Sequence, residues 1–314
     1  MEGPHLSYLV QSPEQNVTVA YILRTRLQLS RSLVTKLKQH SKIKVNGIAV
    51  LANYRVQPGD TVTVDLNLPE KNCIAPENLP LEIIYEDADF LVINKPPGMP
   101  VHPSRLHQSG TLANAVAYYW QQQDKHTLFR PINRLDKDTS GLILIGQNHF
   151  AHQGIAKQLA QKTVLREYTA LVEGVITQDR GIIDEPIARK ENSLVRVVVP
   201  RSRDGVSAKG QRAITHFRVL QRFQTATLVA LKLETGRTHQ IRVHLSFIGH
   251  PVCGDTLYGG STALLGRQAL HAGLLSFWHP RTGKTLTFTC PLPADVQKAI
   301  ALLEIKKAWL APSL

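Results

Sequence analysis

The chain lacks the features that mark secreted and membrane proteins. No run of residues approaches the roughly 18 consecutive apolar residues of a membrane-spanning helix. The segment from Met1 to Gln15 has no basic region leading into an apolar one, so it does not predict a signal peptide. The three cysteines, Cys73, Cys253 and Cys290, are isolated along the chain, and they fit neither a disulfide framework nor a zinc knuckle. These absences predict a protein of the reducing cytoplasm that does not contact a membrane.

The motifs of nucleotide-dependent enzymes are also missing. No G-x-G-x-x-G follows a strand and opens a helix, so the fingerprint of a dinucleotide-binding or methyl-donor-binding fold is absent. There is no Walker A loop and no G-x-S-x-G nucleophile elbow. His239 and His244 suggest a metal site, but five residues along a helix separate them by about 140° in azimuth, so one ion could not bind both. The sequence therefore predicts chemistry without a metal or a nucleotide cofactor.

One long segment contains no acidic residue. Between Gln15 and Gly59 there is neither Asp nor Glu. The same segment contains eight basic residues, which are Arg24, Arg26, Arg31, Lys36, Lys38, Lys42, Lys44 and Arg55. Because folded surfaces normally intersperse the two signs, a segment of one sign predicts a polyanionic partner, and nucleic acid is the leading candidate. A solvated face without a partner is the alternative that composition alone leaves open.

Local signals predict that this basic segment folds. Ser30 is a predicted N-cap for a helix that begins at Arg31. A strand is expected from Lys42 to Val45, and Asn46-Gly47 is a strong signal for a hairpin. We therefore expect a small α/β-hairpin domain at residues 1–70 whose basic face binds phosphates. The side chains expected to bind them are Arg24, Arg31, Lys36, Lys38, Lys42 and Lys44.

The rest of the chain predicts a second, larger domain. A proline-containing stretch with little apolar periodicity predicts a linker at residues 71–80. Beyond it, residues 81–314 contain more strand patterns than helix patterns, and the two do not alternate regularly. The predicted fold class is therefore α+β, with a mixed, mostly antiparallel central sheet and peripheral helices.

Three stretches of the larger part could carry chemistry. Asp136 and Asp138 lie on a loop directly before a buried strand, where catalytic groups are common, although a loop Asp more often organises a turn. Thr238 is a predicted cap for a helix over residues 239–247, which leaves Arg237 at its start, free to point into a cleft. Tyr168 begins a strand, where an aromatic residue more often belongs to the core. The residues alone leave these alternatives open.

The loop sequence resembles a known signature. Arg134-Leu135-Asp136 followed by Thr139-Ser140-Gly141 is similar to the signature of the RluA-type pseudouridine synthases. The resemblance continues in order along residues 81–295, through Asn94–Met99, Tyr168 and Gly236–Leu245. Residues 13–65 resemble, less strongly, the small RNA-binding module named after a ribosomal protein of the small subunit.

Two positions depart from this family pattern. Asn133 stands where the family usually has His, and Arg166 stands where it often has Lys. Neither position carries the carboxylate chemistry, so the departures bear on the substrate more than on the reaction.

The resemblance implies a pseudouridine synthase fold and an enzyme that isomerises uridines in structured RNA without a cofactor. Asp136 would be the catalytic carboxylate, Arg237 its charged partner, and Tyr168 the residue beside the uracil. Arg134 would occupy the space left by the flipped-out nucleotide. The expected substrate is 23S-type large-subunit rRNA, with tRNA as the alternative, and the expected state is a monomer.

Two other functions compete with this interpretation. A non-catalytic RNA-binding protein would keep the fold, but the presence of Arg134, Asp136, Tyr168 and Arg237 together argues against it. An RNA methyltransferase would also suit a basic N-terminal module. The missing glycine-rich fingerprint argues against that second alternative.

Overall fold

The structure is a computed structural model, and it describes residues 5–69, 74–104, 107–125, 127–191, 193, 195–199 and 210–309. Cys73 and the first three residues of the predicted linker, 71–73, lie outside the described residues. Over the described ranges, the strands form one small sheet, one large sheet and a separate two-stranded ribbon. No helix in these ranges is both long enough and apolar enough to cross a bilayer.

The basic N-terminal segment forms the small sheet and its helices. Its antiparallel strands are β1 (His5–Leu9), β2 (Ile43–Val45), β3 (Ile48–Ala49) and β4 (Thr61–Asp65), in the order β1-β4-β2-β3. The helices are α1 (Val19–Thr25) and α2 (Arg31–Gln39), after a short 3-10 helix at Ser12–Glu14. Their apolar sides form one core with the sheet, and we call this unit the N-terminal module.

Two local predictions for the N-terminal module are confirmed. The Ser30 hydroxyl accepts a hydrogen bond from the Leu33 amide at 3.1 Å, and α2 begins at Arg31 as expected from the cap. Asn46 (φ 51°) and Gly47 (φ 83°) both adopt the left-handed conformation that a type I′ hairpin turn requires, and they connect β2 to β3.

The large sheet confirms the predicted fold class. Within the described residues it has nine strands, in the order β5-β6-β7-β14-β8-β13-β12-β9, with β15 paired to β14. These are β5 (Glu82–Glu86), β6 (Phe90–Lys95), β7 (Ser140–Gly146), β8 (Leu165–Glu173), β9 (Arg180–Asp184), β12 (Ile214–Arg222), β13 (Ala226–Leu233), β14 (Leu270–Trp278) and β15 (Thr285–Thr289). The β7–β14 pair is parallel and the other pairs are antiparallel, so the sheet is mixed and mostly antiparallel.

Helices and a ribbon surround the large sheet. The ribbon pairs β10 (Ile187–Arg189) with β11 (Arg196–Val198). The helices are α3 (Leu112–Gln121), α4 (His149–Ala160), α5 (Gln240–Phe247) and α6 (Ala294–Trp309), with a 3-10 turn at Thr256–Tyr258.

A close approach between β7 and β14 fixes the centre of the large sheet. Gly141 has a φ of +113°, and a Cβ atom there would lie 2.3 Å from the carbonyl oxygen of Ala272. A side chain would therefore push the two strands apart. Ala272 also pairs with Tyr168 on β8, so the loop that precedes β7 is held beside the start of β8.

The N-terminal module is docked on α4. Phe150, near the start of α4, is 8% exposed and packs into the core of the module. Beside it, the Gln153 amide donates a hydrogen bond to the Ser30 hydroxyl at 2.6 Å, and Lys36 Nζ lies 2.8 Å from His149 Nε2. Phe150 of α4 therefore completes the core of the N-terminal module.

We predict that Phe150→Ala loosens the module without unfolding the larger part. Removing a buried Phe side chain costs about 3 kcal/mol or more, and the cost here falls on the module's core. Urea unfolding followed by circular dichroism should separate into two transitions, and protease should cut the region between the two sheets faster. Phe247→Ala is the matched control, because Phe247 is 55% exposed and its loss should change neither measurement. A single unaltered transition in Phe150→Ala would contradict the docking.

Candidate active site

A cleft of about 520 Å³ opens where β7, β8 and α5 meet. Its volume lies within the range of about 300–1,000 Å³ that is common for ligand sites. Residues 132–136 form one wall, the start of β8 forms the floor, and residues 233–242 form the opposite wall. Asp136, Tyr168, Arg134 and Arg237 all line it, so the structure places the four predicted site residues around one cavity.

A buried lysine anchors the loop that carries Asp136. Lys95 is 0% exposed, and its ammonium group donates hydrogen bonds to the carbonyl oxygens of Pro96, Met99 and Lys137 at 2.7 to 2.9 Å. Burial lowers the pKa of Lys95 to about 7, while the negative charge of Asp138 opposes this decrease. The loop is thereby fastened to the turn after β6 through the carbonyl oxygen of Lys137.

Asn133 anchors the other end of the loop. Its side-chain amide donates to the carbonyl oxygen of Leu142 at 3.1 Å and accepts from the amide of Leu144 at 2.7 Å. The side chain thus pairs with the backbone of β7 as a neighbouring strand would. On the far side, Arg267 donates to the carbonyl oxygen of Asp138 at 3.0 Å. Asn133, where the sequence departs from the family's usual His, therefore has a structural role in this chain.

An arginine on α5 provides the charged partner of Asp136. Arg242 Nη1 donates to Asp136 Oδ2 at 3.0 Å. The same guanidinium donates from Nε and Nη2 to the two carboxylate oxygens of Asp255, at 2.6 and 2.8 Å. Burial alone would lower the pKa of Arg242, but its hydrogen bonds and the negative charges of Asp255 and Asp136 raise it. A permanent positive charge is therefore fixed against the Asp136 carboxylate.

The prediction that Arg237 would be this partner is wrong. Arg237 is exposed, and its Nε donates to the carbonyl oxygen of Arg212 at 3.2 Å. The reason lies in the helix start, because α5 begins at Gln240 after His239 in a left-handed conformation (φ 58°), without the predicted Thr238 cap. This turn directs Arg237 to the rim of the cleft.

A sequence signal for Arg242 was available. The residue stands between the apolar Ile241 and Val243 in the helix predicted over residues 239–247, and the structure shows that this segment is buried. A cation in such a segment requires an acidic partner, since an unpaired buried charge is costly.

The floor of the cleft is aromatic. Tyr168 is 6% exposed on β8. Burial raises the pKa of its phenol, the charge of Asp136 raises it further, and Arg166 has the opposite effect. The phenol is therefore protonated at neutral pH. Arg134 is exposed at the mouth of the same cleft.

A histidine that the sequence did not single out as a site residue also approaches Asp136. His239 Nε2 lies 3.9 Å from Asp136 Oδ2, and its Nδ1 is 2.8 Å from the hydroxyl of Tyr258. Burial lowers the pKa of His239, while the charge of Asp136 opposes this. His244, the other histidine of the helix, bonds instead to Thr215 Oγ1 at 2.8 Å. The described residues contain no cluster of His, Cys, Asp or Glu side chains suited to a metal ion.

Four of the six predicted phosphate-binding side chains of the module are exposed and have no hydrogen-bond or ion-pair partner within the described ranges. These are Arg24, Arg31, Lys38 and Lys44. The other two already have partners, since Lys42 Nζ is 2.5 Å from Asp65 and Lys36 contacts His149.

Comparison with known proteins agrees with the two parts of the chain. The family model described as RNA pseudouridylate synthase matches residues 89–247, and the S4 domain model matches residues 19–62. The chain is 45% identical over 284 residues to the uncharacterized RNA pseudouridine synthase YlyB of Bacillus subtilis, covering 89% of this chain and 91% of the relative. It is 39% identical to ribosomal large subunit pseudouridine synthase D of Haemophilus ducreyi, covering 88% and 87% of the two chains.

The larger part of the chain also resembles a solved structure of a pseudouridylate synthase. Human RNA pseudouridylate synthase domain containing 4 superposes with a TM-score of 0.60 at 25% identity, covering 71% of this chain and 93% of that one. The chain therefore belongs to the RNA pseudouridylate synthase family, and its N-terminal module is an S4 domain. It is an RNA pseudouridine synthase, an isomerase that acts on uridines in RNA, and the resemblance found in its sequence is confirmed.

We predict that Asp255→Asn both destabilises the protein and slows isomerisation. Removing one partner of a buried ion pair costs about 3 kcal/mol or more, and a misdirected Arg242 should slow the reaction by on the order of 10- to 100-fold. Thermal unfolding and pseudouridine formation would be measured together. Asp179→Asn is the control, because Asp179 is 87% exposed in its pair with Arg222 and should change neither. An Asp255→Asn protein with wild-type stability would contradict a supporting role for this acid.

Proposed function

We propose that Asp136 is the catalytic carboxylate and that the enzyme modifies large-subunit rRNA. One observation carries the assignment of Asp136. Its carboxylate lines the cleft beside Tyr168 with Arg242 at 3.0 Å, whereas the neighbouring Asp138 does not line the cleft.

The reaction needs one ionised acid in a confined space. The bond between N1 of uracil and C1′ of the ribose breaks, the base rotates, and a bond forms between C5 and C1′. C5 then loses its proton and N1 takes one up, so the product is an isomer of the substrate. The Asp136 carboxylate either attacks C1′ as a nucleophile or removes a proton from the sugar to give a glycal. Both routes start from a carboxylate, and the guanidinium of Arg242 lies 3.0 Å from it.

Tyr168 and Arg134 act on the base and on the opened RNA. A uridine inside a helix cannot reach Asp136, so it must leave the stack at a cost of a few kcal/mol. The flipped uracil packs against the ring of Tyr168, whose hydroxyl relays the C5 proton by releasing its own proton as it accepts that one. Arg134, exposed at the mouth, fills the vacated position in the RNA.

The choice of rRNA rests on the S4 domain and on the relatives. The free cations of the module suit the backbone of a folded RNA. Several similar proteins are named as synthases of the ribosomal large subunit. A tRNA substrate is the alternative, and a cytoplasmic monomer remains our expectation.

We predict that Asp136→Asn abolishes isomerisation while RNA binding persists. Replacing a carboxylate that forms or breaks bonds should reduce the rate by at least about a thousandfold. Release of tritium from C5-labelled uridine would be measured in a 23S-type rRNA transcript and, in parallel, in tRNA transcripts. Asp138→Asn is the matched control, because it removes an acid two residues away and should remain active. Full activity of Asp136→Asn would refute the assignment of the catalytic acid. Activity of the unaltered enzyme on the tRNA transcripts alone would show that tRNA, and not rRNA, is the substrate.

We predict that replacing Arg24, Arg31, Lys38 and Lys44 together by Ala flattens the salt dependence of RNA binding. If each side chain neutralises one phosphate, the slope of log K against log salt concentration should fall in magnitude by roughly 3. Filter binding of the rRNA transcript from 50 to 200 mM salt would measure it. Lys42→Ala is the control, since Asp65 already compensates that charge. An unchanged slope in the quadruple variant would show that RNA contacts a different surface.

A further inference from the structure

Arg166 lines the cleft but has no part in the proposed reaction of Asp136, Tyr168 and Arg134. It precedes Tyr168 by two residues on β8, so both side chains project from the same face of the sheet into the cleft. Its Nε is buried, and no atom of the described residues accepts a hydrogen bond from it. Buried donors without an acceptor are uncommon in folded proteins, and each costs about 1–3 kcal/mol.

The acids that line the cleft are already committed to other cations. Asp136 accepts from Arg242 at 3.0 Å. Glu234 accepts from Lys162 at 2.6 Å and lies 2.7 Å from His216 Nε2. Within the described part of the chain, the cleft therefore offers no free carboxylate to Arg166, and its positive charge is left for a ligand.

The position of the guanidinium suits the backbone of the bound nucleotide. Arg166 Nη1 lies 3.2 Å from the point where a Cβ atom on Gly236 would be, so the missing side chain at that residue leaves it room. This places the group against Gly236, in the wall of the cleft that also carries the exposed Arg237. If a base packs on Tyr168, Arg166 is a neighbouring cation for the phosphates that flank that base, because it lies two residues away on the same face of β8.

We propose that Arg166 binds a phosphate of the flipped uridine's backbone and so positions the nucleotide; this rests on the proposed function. A phosphate would compensate the positive charge of the guanidinium and would also accept two hydrogen bonds from its planar array of N–H groups. A uracil carbonyl would accept a hydrogen bond but would leave the positive charge uncompensated. Arg166 is accordingly a residue that binds substrate away from the reacting atoms.

The test compares Arg166→Gln with Arg166→Lys, each combined with Asp136→Asn so that the RNA is bound but not converted. The probe is the 23S-type rRNA transcript, and Kd is measured by filter binding from 50 to 200 mM salt. Arg166→Gln should weaken binding by roughly 10- to 100-fold and reduce the salt slope by about 0.7 to 0.9. Arg166→Lys should keep the slope and recover part of the affinity, since it keeps the charge but loses the planar array of N–H groups.

A matched control and a stability measurement exclude indirect effects. Arg218→Gln removes an exposed arginine charge from β12 on the opposite face of the sheet, and it should leave the slope unchanged. The Arg166→Gln protein should melt no lower than its parent, because no hydrogen bond of Nε within the described residues is lost. A lower Tm with an unchanged slope would indicate a structural role and overturn the proposal.

Two further outcomes separate this proposal from the assignment of Asp136. An equal loss of affinity at every salt concentration would indicate an uncharged contact, such as a uracil carbonyl, and would overturn the phosphate. Tritium release by the Asp136→Asn single variant reports on the proposed function alone. If that variant were active while Arg166→Gln still reduced the slope, the catalytic assignment would fail and the phosphate contact would stand.

Discussion

The candidate cleft depends on one guanidinium that is shared between two carboxylates. Asp255 is almost completely buried and binds Arg242 through two hydrogen bonds, which fixes the plane of the guanidinium. The remaining Nη1 is then directed at Asp136, whose side chain is 29% exposed and open to a substrate. The buried acid thus orients the arginine, and the arginine in turn holds the exposed acid. A simple pair between Asp136 and a flexible surface cation would not fix the carboxylate in this way.

The rest of the large sheet holds the two ends of this ion pair at the correct separation. Asp136 lies on a loop that Lys95 and Asn133 fasten to β6 and β7, while Arg242 lies on α5 after β13. Between them run β14 and β8, and the close approach at Gly141 brings the loop against β14. The anchoring bonds come from side chains to backbone carbonyls and amides, so they fix the loop's backbone and leave the Asp136 carboxylate facing the cleft. The cleft is consequently preorganised before RNA arrives.

Local features were predictable from the sequence, and contacts between distant segments were not. The cap at Ser30, the Asn46-Gly47 turn and the mostly antiparallel sheet follow from patterns within a few residues. The loop of Asp136 could be identified because its motif is contiguous. The role of Arg242 could not be assigned in the same way, because it depends on a left-handed His239 that delays the start of α5 and on Asp255 in another segment. The lack of an acceptor for Nε of Arg166 could likewise not be predicted, because it depends on the neighbouring acids being paired with other cations in the folded structure.

The docking of the N-terminal module has a consequence for biosynthesis. The module's own strands and helices end at β4, yet part of its core is Phe150, which the ribosome adds much later. Until α4 has emerged, the nascent module has an uncovered apolar surface at the site that Phe150 will occupy. The core of the module is therefore completed only after the first strands of the large sheet have been synthesised. A chain truncated before α4 would leave the module with an exposed apolar face that is prone to aggregation.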